Sequence, residues 1–179
     1  MTVRMEAVAE PVVEAARDET KDWLRIDGAA DDAAIAAACR AAIGMAEGFC
    51  GQMLFARAGE EEVSATDGWQ RLTACPVRSI GAVRALAADG EESAVPEEAV
   101  AKAIDADGDG WLRVARGAAP GRVAVALTAG MAEGWDDAPE PLRQGAVRLA
   151  AHLFSGGEGA APPAVVTALW RPWRRLRLA

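Results

Sequence analysis

The acidic segment at residues 105–110 has the residue types and spacing that could bind a metal ion. Asp105, Asp107 and Asp109 with Gly110 match the first six positions of a calcium-binding EF-hand loop. The twelfth position of that loop should be a bidentate glutamate, but here it is Arg116. Because the flanking residues also follow a strand pattern, we predict a tight β-hairpin turn with solvated acids and no metal site.

A catalytic site is not evident from the other reactive residues. His152 is the single histidine, and it lies beside the apolar positions Leu149 and Leu153 of a predicted helix. A lone helical histidine is usually a packing or capping residue. The chain contains no GxSxG, GxGxxG or Walker sequence, and the glycines at 156–159 lack the lysine of a phosphate-binding loop. We therefore expect neither an enzyme nor a bound cofactor.

The composition limits the class of protein further. The chain has 179 residues, 51% of them hydrophobic, and a formal net charge of -8. This acidic balance argues against general nucleic-acid binding, which usually needs a basic face. Cys39, Cys50 and Cys75 are odd in number and lack CxxC spacing, so we expect reduced thiols in a cytoplasmic product. We expect no membrane span, because no stretch approaches the roughly 20 apolar residues that a span needs. We also expect no secretion signal, because Arg4, Glu6 and Glu10 interrupt the N-terminal apolar residues.

The helical elements are predicted from apolar periodicity and from their start and stop residues. A first helix is expected over residues 11–25 and a second from Asp31 or Asp32 to Cys50, with Gly51 as its stop. A third should begin at Pro139 or Pro141 and end near residue 155. A short last helix should follow the prolines at 162 and 163 and end at residue 169.

Between the second and third helices the pattern changes to short segments separated by Asp-Gly and Pro-Gly turns. Strands are expected within 53–57, 61–65, 69–74, 80–87, 101–105, 111–115 and 122–128. The predicted fold class is therefore α+β, mainly a helical bundle of three long helices plus a short C-terminal helix. The bundle comprises 11–52 and 139–169, a small antiparallel β region is inserted at 53–130, and residues 1–179 form a single domain.

Gly44 and Gly48 lie one turn apart inside the predicted second helix. Glycine in a helix interior costs up to about 1 kcal/mol relative to alanine, so two at this spacing suggest a close approach of another helix. That helix could belong to the same bundle or to another subunit.

The last ten residues, 170–179, differ in charge from the rest of the chain. They contain two tryptophans, four arginines and no acid, so by subtraction the first 169 residues carry a net charge of -12. The arginines could bind nucleic-acid phosphates, or the segment could lie on a membrane, although it is short and broken by Pro172. Alternatively, the segment could dock into a partner groove with apolar pockets and acidic rims. The candidate docking residues are Trp170, Arg171, Trp173, Arg174, Arg175 and Arg177.

The order of several short segments resembles the head–tail connector, or adaptor, proteins of long-tailed phages and the related adaptors of gene transfer agents. The resemblance covers most of residues 11–179. It is carried by residues 21–26 (KDWLRI), 31–35 (DDAAI), 46–51 (AEGFCG), 75–80 (CPVRSI), 128–130 (TAG), 141–142 (PL), 150–153 (AAHL) and 169–174 (LWRPWR). The chain departs from the family in having Phe49 or Cys50 where a tyrosine is common.

This resemblance implies a structural protein of the virion or of a phage-like particle. Its copies would form a homo-oligomeric ring, a dodecamer like the portal, whose acidic wall lets DNA pass without sequence-specific binding. The C-terminal segment would dock on the portal protein, and a tail-side connector or terminator protein would follow. The protein would be cytoplasmic during assembly and would not bind a membrane. The alternative function is a DNA-binding or DNA-packaging accessory protein that uses the arginines of 170–179.

Overall fold

The computed structural model describes residues 2–88, 90–156 and 161–175. In these ranges it has four α-helices, and their positions agree with the periodicity of the sequence. They are α1 (Glu10–Leu24), α2 (Asp32–Cys50), α3 (Glu140–Phe154) and α4 (Ala164–Trp170). Gly51 ends α2 in the left-handed conformation, with φ 67°, as expected for a helix stop. A 3-10 turn, Arg171–Trp173, follows α4 directly.

Eight β-strands form two antiparallel sheets in the described residues. They are β1 (Thr2–Met5), β2 (Arg57–Ser64), β3 (Gln70–Arg71), β4 (Val77–Leu86), β5 (Glu92–Ala94), β6 (Val100–Ile104), β7 (Gly110–Val114) and β8 (Arg122–Ala129). The larger sheet has the order β1-β2-β8-β4-β5, and the smaller has the order β3-β7-β6. The long β2, β4 and β8 lie side by side in the centre of the larger sheet, with register shifts between β4 and β8.

The predicted fold class is wrong in describing the protein as mainly a helical bundle. The protein is α+β, but strands make up 28% of it against 37% helix, and it is not a bundle of three long helices with a small β region. The prediction missed β1 and β5, and the range expected as a strand at 53–57 contains only an isolated bridge from Phe55 to Ala132 and the first residue of β2, Arg57. All four β1 residues pair with β2, from Thr2 opposite Glu62 to Met5 opposite Gly59. Because β1 pairs with a strand that is distant in sequence, the residues around β1 give little local indication that they form a strand.

The chain divides into two compact units. The β unit comprises Met1–Ala7 and Ala56–Met131, and the helical unit comprises Val8–Phe55 and Ala132–Ala179. In the helical unit, α3 packs against α1 and α2, and Ile35, Ile43, Leu142 and Leu149 are almost completely buried. The single domain expected over residues 1–179 stays a prediction.

A buried carboxylate organises one loop of the β unit. The Glu61 side chain on β2 is completely buried, and it accepts hydrogen bonds from the backbone N–H groups of Thr73 (2.7 Å) and Ala74 (3.2 Å). Buried charges are tolerated when hydrogen bonds replace water in this way. Glu61 therefore fixes the segment that connects β3 to β4.

The acidic segment after β6 forms the hairpin turn that the sequence predicts. The Asp105 carboxylate accepts hydrogen bonds from the backbone N–H groups of Asp107 and Asp109, both at 3.0 Å, and from Trp111 Nε1 at 2.8 Å. The flanking elements β6 and β7 are paired strands rather than helices. Asp105 is thus used to close the turn.

Candidate functional site

Trp170, at the end of α4, is buried in the helical unit. Only 3% of its surface is exposed, and its Nε1–H donates to the backbone carbonyl of Leu142 at 3.3 Å. Its ring meets that of Phe49 with centroids 6.0 Å apart. Gly145 leaves room for the indole, since a Cβ at this position would lie 2.1 Å from Trp170 Nε1. The first residue of segment 170–179 is therefore part of the protein's own core.

Two hydrogen bonds, one from the segment's own backbone and one from the Gln52 side chain, hold the residues after Trp170 against the C-terminal end of α2. The Arg175 N–H donates to the Cys50 carbonyl at 2.8 Å, and Gln52 Nε2 donates to the Trp173 carbonyl at 2.6 Å. The Cys50 thiol is buried, and its Sγ lies 3.9 Å from the Trp170 carbonyl. Burial, with a smaller contribution from Glu47, raises the pKa of this thiol to about 11. Residues 170–175 are thus an ordered part of the helical unit.

The charged side chains of this segment face outward. Arg171 and Arg174 are exposed, and the Arg174 guanidinium lies 5.6 Å from the centroid of the Phe49 ring. Within the described residues, neither arginine has a carboxylate within 4.0 Å. Although the chain has 27 acids, these two arginines form no ion pair in the described part of the chain, so they are available to carboxylates of another protein.

An apolar groove lies beside these cations. It has a volume of about 440 Å³ and is lined by Pro141, Ala168, Leu169, Pro172 and Trp173. Trp173 is half-buried and lines the groove. A groove with arginines nearby suits an apolar side chain flanked by carboxylates. We call residues 171–175 together with this groove the tail site.

The tail site contains most of the predicted docking residues, but in two different roles. Arg171, Trp173 and Arg174 contribute exposed surface, whereas Trp170 is buried and positions them. Arg175 is half-buried, and Arg177 lies outside the described residues. The residues that receive the segment were not predicted from the sequence; they are Gly145, Phe49 and Gln52. A glycine inside a helical pattern often has a packing reason, and Gly145 could have been found by that signal.

Gly44 and Gly48 lie on the solvent-facing side of α2. Both are exposed, and a Cβ added to either would meet no atom of the described residues within 4 Å. A close approach inside the bundle is therefore not the reason for these glycines. The subunit contact predicted for them stays a prediction.

His152 is half-buried on α3, beside an apolar groove. This groove of about 440 Å³ also includes Trp23, Arg148 and Val165. The Arg148 guanidinium lies over the Trp23 ring at 4.9 Å. Among the described residues, the histidine's Nε2 has no hydrogen-bond partner.

Comparison with solved structures gives full-length similarity to particle necks. The chain is 30% identical to a chain in the neck of an empty gene transfer agent (GTA) particle computed with C6 symmetry, with a TM-score of 0.78. The match covers 100% of this chain and 98% of that one. A chain of the virion of a native GTA particle matches with the same identity, coverage and TM-score. The chain belongs to this family of GTA neck proteins.

A third structure supports the same family. It is the neck of a native GTA particle computed with C12 symmetry, at 28% identity, a TM-score of 0.77 and the same coverage. No protein-family model and no curated protein matches the chain. Because the family match extends over the whole chain, it includes both units and the tail site.

Proposed function

We propose that this protein is a structural head–tail connector, an adaptor that docks on the portal protein and forms a ring in the particle neck. The ring, expected to be a dodecamer, extends the DNA channel and joins the capsid to a tail-side connector or terminator protein. The full-length match at 30% identity to a GTA neck chain is the observation that carries this proposal. Neck structures computed with C6 and C12 symmetry support a ring.

The tail site supports docking on another protein. It combines an apolar groove with the exposed cations Arg171 and Arg174, and aromatic and arginine side chains are enriched in the energetically important parts of interfaces. Because Trp170 and two hydrogen bonds to the segment's backbone hold the segment in place, little conformational entropy is lost on binding. The portal surface should therefore offer apolar side chains among carboxylates.

The negative charge of residues 1–169, the acidic body of the chain, favours passage of DNA over binding of DNA. Residues 1–169 carry a net charge of -12 by subtraction, and like charge repels the phosphates of a duplex. The protein would be cytoplasmic during assembly and would reside at the head–tail junction of the finished phage-like particle. We propose no catalytic role for it.

The test must preserve the buried part of the segment. Deletion of 170–179 would remove Trp170 from the core, so loss of binding could reflect loss of the fold. We choose instead the double substitution Arg171→Glu and Arg174→Glu. The control is Arg4→Glu with Arg116→Glu, which changes the net charge equally at exposed positions of the β unit.

The assay is co-purification of the full chain with portal protein. We expect the tail-site variant to lose at least about tenfold in affinity, because reversed charges at an interface repel the partner's acids. The control should bind like the unmodified chain. Equal binding by both variants would contradict docking through the tail site.

A salt titration of DNA binding by the purified chain separates the alternative function. An accessory protein that uses its arginines on phosphates should bind duplex DNA with a steep salt dependence, and the tail-site variant should abolish it. For a connector, we expect negligible binding near physiological salt. Tight, salt-sensitive binding would favour the DNA-packaging alternative.

A further inference from the structure

The outward face of α2 has a composition that is unusual for a surface. We call it the α2 outer face. All its residues are exposed, and all are small or apolar. They are Ala33, Ala34, Ala37, Ala41, Gly44, Met45 and Gly48.

An amphipathic helix normally carries charged residues on its solvent side. Here the nearest charge is Arg40 at the edge of the face, paired with Glu10 through two contacts of 2.8 Å. The length and composition of α2 would even suit a membrane span, yet only 39% of its most apolar window is buried in the structure. A contiguous apolar patch on a protein surface generally marks an interaction site. Something outside the described chain should therefore cover the α2 outer face.

Gly44 and Gly48 indicate that the partner's backbone packs close to the α2 backbone. Alanine is the better helix former at an interior position, and a Cβ at either glycine would meet nothing within 4 Å. Neither glycine has a positive φ, so the backbone does not require glycine. The described part of the chain gives no reason for the two glycines, whereas a partner's backbone packed on this face would.

A groove extends the face towards α3. It has a volume of about 500 Å³ and is lined by Ala34, Ala37, Ala38 and Ala41 of α2 with Leu153 and Phe154 of α3. The helix α2 is about 28 Å long. A strip about 10 Å wide along it, which approximates the α2 outer face, has an area of roughly 300 Å². A stable interface buries about 800 Å² on each partner, so the α2 outer face has the size of an interface core.

We propose that a neighbouring copy of this chain covers the α2 outer face in the neck ring. This inference rests on the proposed function, since a symmetric ring places two copies beside each one and brings two different patches together. The core of such an interface is depleted in charge, as this face is. A lipid surface fits less well because Glu10, Glu14 and Asp18 lie on the adjacent α1, and anionic lipids repel acids.

The first experiment identifies the occupant in assembled particles. The photoreactive residue p-benzoylphenylalanine replaces Met45, the one long side chain of the α2 outer face, in the full chain, and irradiated particles are analysed by mass spectrometry. We expect a product of two copies of the 18.6 kDa chain. Cross-linking to another particle protein, or no product, would overturn the proposal.

The second experiment separates folding from assembly. Replacing both glycines by alanine should raise the melting temperature of the isolated chain, because alanine favours the helix, while lowering ring incorporation. Ala41→Glu should lower incorporation about tenfold or more, as an unpaired charge in an interface core does. The matched control is Ala106→Glu, at an exposed alanine in the β6–β7 turn. Normal incorporation of both α2 variants would refute the contact.

Failure of the proposed function would give a different result. If particles contain no copies of the unmodified chain, the connector role is wrong, and the inference is then decided in solution. Sedimentation equilibrium of the concentrated full chain should show self-association that Ala41→Glu removes and Ala106→Glu leaves. A chain that stays monomeric at every concentration would overturn the contact in that case.

Discussion

The packing of Trp170 against Gly145 allows a quantitative prediction for Gly145→Ala. The added Cβ would lie 2.1 Å from Trp170 Nε1 and 2.8 Å from Cδ1 and Cε2. These distances are far shorter than van der Waals contact, and the indole is a rigid group in a buried site. The substitution must therefore displace the ring, α4 or both.

The expected free energy combines two opposing effects. Overpacking a core costs about 1–3 kcal/mol, while exchanging glycine for alanine in a helix gains up to about 1 kcal/mol. Complete expulsion of Trp170 would cost about 4–6 kcal/mol, from 150–250 Å² at 25 cal/mol per Å². A small shift is less costly than expulsion, so we expect Gly145→Ala to destabilise the chain by about 1–2 kcal/mol.

Urea denaturation followed by far-UV circular dichroism measures this change. Gly44→Ala is the matched control, because its Cβ meets nothing within 4 Å; it should stabilise the chain by about 0.5–1 kcal/mol. In a Trp170→Leu background the clash is absent, so Gly145→Ala should become stabilising by a similar amount. This reversal of sign isolates the contact as a coupling energy.

If Gly145→Ala stabilises the chain equally with Trp170 and with Leu at position 170, the coupling is zero. That result would refute the packing of Trp170 into the space at Gly145. It would also remove the basis for treating residues 171–175 as a preorganised docking surface.

Two further predictions concern the buried groups Cys50 and Glu61. Because the folded pKa of Cys50 is raised to about 11 from 9.0, its contribution to stability is complete below about pH 9 and is lost as the pH rises towards 11. Urea midpoints measured over this range should fall, and Cys50→Ala should reduce the fall; an identical fall in the variant would contradict the assignment. Glu61→Ala removes the acceptor of the Thr73 and Ala74 N–H groups and should destabilise the chain by about 2–4 kcal/mol. In thermal denaturation, a loss below about 0.5 kcal/mol would show that water replaces the carboxylate.

The helices could be predicted because their signals are local. Apolar positions three and four residues apart, with prolines near the starts and Gly51 as a stop, gave bounds close to those of α1, α2 and α3. Turn residues likewise predicted the β6–β7 hairpin around Asp105. In each case the residues that decide the element lie within it or next to it.

The extent of the β structure was not evident from the sequence because pairing decides it. The residues of β5 are all exposed and include Glu92, so only their pairing with β4 makes them a strand. The mainly helical fold class was wrong for this reason.

The sequence alone determined the charge contrast between residues 170–179 and the acidic body, and with it the expectation of a docking segment. Only the tertiary structure decided which side chains of that segment are available. Trp170 is buried because Gly145 and Phe49 receive its ring, while Arg171 and Arg174 face outward. These residues are far apart in sequence, so no local pattern records their contact. Composition determines what a segment can bind, but packing determines which of its atoms remain exposed.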